Sequence, residues 1–162
     1  MKRSAMHFLL GLALLAGVSG CGFQLRGQAQ LPFAAAHVEA REGSPLGNAL
    51  RQNLGYQNKL AAKKDEAPVR IVLTDEARTK DILSLSGGGK VREYRLGYRV
   101  IVSVLDGAGN ELIAPSEILL TRDFTYSDAE VLAKEAEEAN LVRAMEQEAL
   151  RQVMRRLSYV KR

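Results

Sequence analysis

A chain of 162 residues with 23 Lys and Arg against 19 Asp and Glu carries two histidines and a single cysteine. One cysteine excludes an internal disulfide and a Cys-based zinc site, and two histidines leave too few parts for a zinc hydrolase or a Ser-His-Asp centre. The small basic excess excludes a general nucleic-acid binder, so any electrostatic function must come from local patches.

The chain opens with Lys2 and Arg3, followed by an apolar run from Phe8 to Val18 that is too short to span a bilayer. This is the charged-then-apolar layout of a secretory signal. The run ends in Val18-Ser19-Gly20-Cys21-Gly22, a lipobox, in which the thiol is acylated before cleavage. Residues 1–20 are therefore expected to be removed, and the mature chain to begin at a lipid-modified Cys21 with no other cofactor. Buried acyl chains contribute about 0.8 kcal/mol per methylene, so two or three of them hold the protein to one leaflet without a spanning helix. By resemblance to bacterial lipoproteins, Gly22 in place of aspartate directs the anchor to the inner leaflet of the outer membrane. The mature 142 residues, with Lys2 and Arg3 gone, match one domain.

Residues 21–35 lack a sustained period and are interrupted by Gly27 and Pro32, which predicts an extended tether before a single domain over 36–162. Ala36, Val38 and Ala40 alternate with His37, Glu39 and Arg41, the two-residue period of a strand with one buried face. Ser44 before Pro45 is a capping hydroxyl ahead of a first helical turn, and Leu46, Leu50 and Leu54 recur every four residues. A helix is predicted over Pro45 to Leu54, with Gly55 placed to end it.

Val69, Ile71 and Leu73 begin a second strand that continues irregularly toward Leu83 and Leu85. From Arg92 to Asp106 the even positions Tyr94, Leu96, Tyr98, Val100, Val102 and Val104 are apolar, whereas Glu93, Arg95, Arg99 and Ser103 form a basic, wet face. Ser86-Gly87-Gly88-Gly89-Lys90 superficially invites a phosphate-loop reading. That motif needs glycine at Ser84, Ser or Thr at Val91 and a following helix, so a hairpin tip is expected instead. A second glycine-rich turn, Asp106 to Asn110, leads into a fourth strand reaching Tyr126, with Pro115 marking an edge, bulge or break.

Ser127-Asp128-Ala129-Glu130 fits a capping box opening a helix that extends to about Leu157. Its apolar stripe runs through Ala139, Val142, Met145, Ala149 and Val153. Glu130, Lys134 and Glu138 stand four apart and read as a solvated ladder of weak ion pairs. Glu135 and Glu138 lack the histidine that a helical carboxylate metal site would add three residues on, so neither a metal site nor a catalytic residue is expected. Lys90, Arg92, Arg95, Arg99 and Lys134 are candidate phosphate ligands, although a solvated outer strand face would look much the same.

Four segments carry a family likeness: Cys21-Gly22-Phe23-Gln24-Leu25-Arg26-Gly27, Arg92-Glu93-Tyr94-Arg95-Leu96, Leu120-Thr121-Arg122-Asp123-Phe124-Thr125-Tyr126 and Val131-Leu132-Ala133-Lys134-Glu135-Ala136-Glu137-Glu138. In this order and spacing the chain resembles the LptE family of lipopolysaccharide-assembly lipoproteins of the outer membrane. The resemblance implies an α+β two-layer sandwich, with two helices packed on one face of a four-stranded mixed sheet. It implies a non-enzymatic role as 1:1 partner and plug of the LptD barrel, facing the periplasm and the barrel lumen, supporting barrel assembly and the insertion of lipopolysaccharide into the outer leaflet. Lys134 matches a basic position that the family uses for lipopolysaccharide contact. The family's second basic contact falls where this chain has Gly87 to Gly89, so Lys90 or Arg92 would have to substitute. The alternative is a structural adaptor lipoprotein of another envelope complex, without lipopolysaccharide binding.

Overall fold

The computed structural model describes residues 30–160. The signal, the lipobox and Cys21 lie outside them. In chain order the elements are β1 (Ala36–Glu39), α1 (Pro45–Tyr56), β2 (Val69–Leu85), β3 (Val91–Asp106), β4 (Glu111–Thr125) and α2 (Val131–Leu157), with short 3₁₀ turns at Lys64–Glu66 and Asp128–Glu130. The strands form one mixed sheet in sequence order, β1 parallel to β2 and the remaining neighbours antiparallel. Both helices contribute to a single core against one face of this sheet, giving the α+β sandwich expected. Among the described residues no helix is long and apolar enough to cross a membrane.

The core follows from the alternation in the strands. Leu96, Tyr98, Val100, Val102 and Val104 of β3 are buried against Leu46, Leu50 and Leu54 of α1 and Met145, Ala149, Val153 and Leu157 of α2. Arg95 and Arg99 occupy the opposite, uncovered face. The packed domain reaches further back than residue 36: Leu31 and Phe33, placed by the sequence reading in the tether, are buried in the core. Lys59 fixes this lead, donating from Nζ to the Leu31 and Phe33 carbonyls.

Helix α1 starts as expected, with Ser44 Oγ accepting from Gly47 N at 2.8 Å. It passes through Gly55 and ends one residue later, at Tyr56. Asn58, at φ 54°, supplies the left-handed residue, while Lys59 N donates to Leu54 O at 2.8 Å and Asn58 N to Gly55 O at 3.0 Å. This is a Schellman stop, which asparagine can serve as well as glycine.

The irregularity in β2 is a β-bulge between Thr74 and Ala77, where Asp75 takes φ 51°. One extra residue reverses the side-chain alternation. Before it the odd residues Val69, Ile71 and Leu73 face the core; after it Arg78, Lys80 and Ile82 lie opposite Tyr98, Leu96 and Tyr94 on the helix side. The bulge also buries Glu76, whose carboxyl accepts from Ser44 Oγ, from Leu46 N at 3.1 Å and from Tyr98 Oη at 2.5 Å. The sheet thereby caps the α1 N-terminus with an acidic group, where the helix dipole favours one. Burial, followed by the bond to Glu76, pushes the Tyr98 phenol above the usual tyrosine range.

Both glycine-rich segments are hairpin turns, with Gly89 at φ 76° and Gly109 at φ 94°. Pro115 falls on edge strand β4 at a break in register, where its missing N–H leaves no ladder bond unmade. The capping box forms only in part. Ser127 Oγ accepts from Ala129 N, but Glu130 returns no side-chain bond, and a 3₁₀ turn precedes the α-helix. The first turns of α2 project past the core, so Ala139, expected in the buried stripe, is exposed.

Candidate functional site

The end of the molecule holding the β2–β3 turn, the C-terminus of β4 and the start of α2 collects three of the five candidate cations. Lys134 and Lys90 meet the connection Thr125 to Asp128 with their side chains, and Arg92 meets it with its backbone. Lys134 Nζ lies 3.3 Å from Thr125 Oγ1 and 2.9 Å from Glu137 Oε2. Lys90 Nζ reaches Asp128 Oδ2 at 3.2 Å, in a pair exposed on both sides. The Arg92 carbonyl accepts from Tyr126 N at 2.8 Å, tying the connection to β3, and the Arg92 side chain is exposed and makes none of the described ion pairs. The expected ladder through Glu130, Lys134 and Glu138 does not form, because Lys134 turns to Glu137 while Glu138 pairs with Lys80 of β2.

Arg95 and Arg99 stand apart from this group, on the sheet face away from the helices. Arg95 makes a two-pronged bond to Asp123, at 2.7 and 2.8 Å, and Arg99 pairs with Glu117. The hydrogen bonds from Arg95 hold the Asp123 carboxyl below the usual carboxylate range. The basic face read from β3 alone is therefore neutralised by acids of β4: Asp123 directly across the ladder from Arg95, and Glu117 diagonal to Arg99, whose direct partner is Leu119. Cross-strand register decides this, and a one-strand pattern does not contain it.

Two cations missed in the sequence reading line a cleft of about 580 Å³ between β2 and α2, together with Glu135, Glu138, Val142 and Glu146. Arg78 pairs with Glu146, and Lys80 with Glu138 at 2.5 Å. Lys80 Nζ also sits 4.4 Å from the Tyr94 ring centroid and 5.8 Å from that of Phe124, a cation held over two stacked rings. Their even numbering was the available signal, but it points to the core side only once the bulge is known. Exposed apolar side chains stand at the same end of the molecule: Ile82 and Leu85 on β2, Val131 and Leu132 at the start of α2, Leu132 being 82% exposed. His37 is remote and structural, its Nδ1 lying 3.1 Å from the Ala61 carbonyl oxygen.

The profile of the LptE family, described as lipopolysaccharide-assembly, matches residues 29–157. The chain belongs to the LptE family. A protein of Photorhabdus laumondii named LPS-assembly lipoprotein LptE is 31% identical, covering 97% of this chain and 87% of its own length. Its namesake in Yersinia enterocolitica is 33% identical, covering 99% and 78% respectively. In three dimensions the chain is similar to the solution structure of lipoprotein B from Nitrosomonas europaea, with a TM-score of 0.73, 38% identity, and coverage of 85% of this chain and 90% of that one. The rare lipoprotein B structure from Shewanella oneidensis, at TM-score 0.64 and 24% identity, repeats the fold. As a member of this family the chain is a lipoprotein of lipopolysaccharide assembly and not an enzyme.

Proposed function

We propose that this LptE-family protein is anchored to the outer membrane through a lipid on Cys21, partners and plugs the LptD barrel in a 1:1 complex, and holds lipopolysaccharide phosphates with Lys134, Lys90 and Arg92. The observation that carries the ligand reading is the convergence of the Lys134 and Lys90 ammonium groups on the Thr125–Asp128 connection, to which the Arg92 backbone is also bonded, beside exposed Leu132 and Ile82. Their carboxylate partners are solvent-exposed or one helical turn away, so a phosphate can replace them at small cost. An acylated, phosphorylated ligand requires this mixture of charge and apolar surface. Arg95 and Arg99 are assigned a different role: paired with Asp123 and Glu117, they make the open sheet face polar without leaving free charge, which suits a hydrophilic lumen.

The experiment is a detergent pull-down of the lipidated protein from its own envelope, assaying co-purified barrel and lipopolysaccharide in wild type, Lys134→Ala and Arg95→Ala. Stoichiometric barrel is expected in all three. Lipopolysaccharide should fall about 10-fold in Lys134→Ala, the loss of one charge-assisted hydrogen bond, and remain unchanged in Arg95→Ala. Absence of barrel would favour an adaptor of another envelope complex, and unchanged lipopolysaccharide in Lys134→Ala would remove the binding role.

A further inference from the structure

The opposite end of the domain carries a second, unassigned concavity. A cavity of about 360 Å³ opens where the chain enters the domain, walled by Phe33, Ala34, Val69, Leu112 and Val160. One carboxylate, Asp106, reaches this wall, but it is engaged in its own turn, accepting from Asn110 N at 2.8 Å and Asn110 Nδ2 at 2.9 Å. The remaining lining is hydrocarbon, a surface that offers water too few hydrogen-bond partners. One residue along the chain from Val160, Tyr159 joins Gln152, Arg155 and Arg156 around a second hollow of about 440 Å³. Arg156 is tied to Ser116 Oγ at 2.7 Å, whereas Arg155 is exposed and makes none of the described ion pairs; the Tyr159 ring is 76% exposed. The α2 dipole accounts for basic residues at this helix end, but not for an apolar cavity or a bare tyrosine next to them.

We propose that this end of the domain binds one glycerophospholipid of the leaflet, an acyl chain entering the cavity between Phe33, Leu112 and Val160 while Arg155 and Tyr159 meet the phosphate. An aromatic ring and a cation flanking an apolar opening is the arrangement favoured where one side of a surface is hydrocarbon and the other wet. The cavity is also at the right end. Its wall includes Pro32, eleven residues from Cys21, and at most ~3.6 Å per residue this tether keeps the cavity within about 40 Å of the anchor. Such a leash raises the effective concentration of leaflet lipid at the opening. The orientation rests on the reading of Cys21 as the anchor; lipid binding itself does not.

The test therefore uses the processed chain carrying Cys21→Ala, floated with phosphatidylcholine vesicles with and without phosphatidylglycerol. Wild-type surface should bind the phosphatidylglycerol vesicles. Arg155→Ala should bind about fivefold more weakly, the loss of one cation near an anionic surface. Ala34→Glu, at an exposed rim position where folding is preserved, should lose at least that much by placing a charge against hydrocarbon. Arg122→Ala, which removes an exposed cation bonded, among the described residues, only to the Thr121 carbonyl, should float as the parent does. Monomeric short-chain phosphatidylglycerol should shift the methyl signals of Leu112 and Val160. Equal flotation of all variants, no flotation of the parent, or a loss in Arg122→Ala as large as in Arg155→Ala would overturn the site while leaving the lipopolysaccharide reading to its own assay. If the naturally lipidated protein fails to take up the short-chain lipid that Cys21→Ala accepts, the cavity holds the protein's own acyl chain, and the leaflet source is refuted.

Discussion

Replacing Glu76 tests how the bulge of β2 and helix α1 depend on one another. The buried carboxyl receives three donors, Ser44 Oγ, Leu46 N and Tyr98 Oη, and only 8% of the residue is exposed. Glu76→Ala leaves all three without their acceptor, at roughly 1–3 kcal/mol each before water repays part of the loss, and removes an acid from the helix N-terminus worth about 0.3–1 kcal/mol. A net loss of about 3 kcal/mol is expected. Glu76→Gln keeps one acceptor oxygen and orphans one donor, so it should cost about 1–2 kcal/mol. Urea denaturation followed by circular dichroism, on the processed Cys21→Ala chain, should show the midpoint falling in the order parent, Gln, Ala, with an unchanged slope. Hydrogen exchange at the Leu46 and Gly47 amides should accelerate before that of the β3 amides. The reasoning fails if Glu76→Ala stays within 1 kcal/mol of the parent, or if Gln is as damaging as Ala, since acceptor geometry would then not be what the site supplies.

Two further outcomes follow from local geometry. Gly47→Ala places a Cβ 2.7 Å from Ala40 Cβ and 2.8 Å from Ser44 Oγ, so despite the better helix propensity of alanine it should destabilise by about 1–3 kcal/mol, measured by thermal melting. Glu39 concerns pH: the side-chain bond from Arg70, assisted by its charge, holds the Glu39 carboxyl below the usual carboxylate range. A folded-state pKa below the unfolded one means that the stabilisation is present above the unfolded value, ~4.3, and is lost as pH falls through the depressed folded value. Glu39→Gln should thus lower stability at pH 7 and flatten its decline toward acid. An equal decline in both proteins would show the pair to be energetically idle.

Much of the fold was legible because it depends on short-range regularities. Alternation along β3, leucines every fourth residue in α1 and the glycines of two turns each express a local period or a local backbone requirement. The boundaries that moved did so where a remote partner or an unanticipated cap intervened: Leu31 and Phe33 were drawn into the core by packing, α1 was stopped by Asn58 rather than Gly55, and the α2 start was delayed by a 3₁₀ turn.

By itself the sequence determined the lipobox, the family likeness, the order of elements and the absence of the cysteine and histidine sets on which common metal and hydrolase sites depend, since all of these reside in residue identity and spacing. Which cations are available for a ligand was decided only in three dimensions. Arg95 and Asp123 are 28 residues apart in the chain yet share two hydrogen bonds, and the single extra residue at the Thr74–Ala77 bulge brings Lys80 and Arg78 to the helix side against Glu138 and Glu146. A charge acts through what stands beside it, and neighbours across a ladder or between a strand and a helix are set by register and packing.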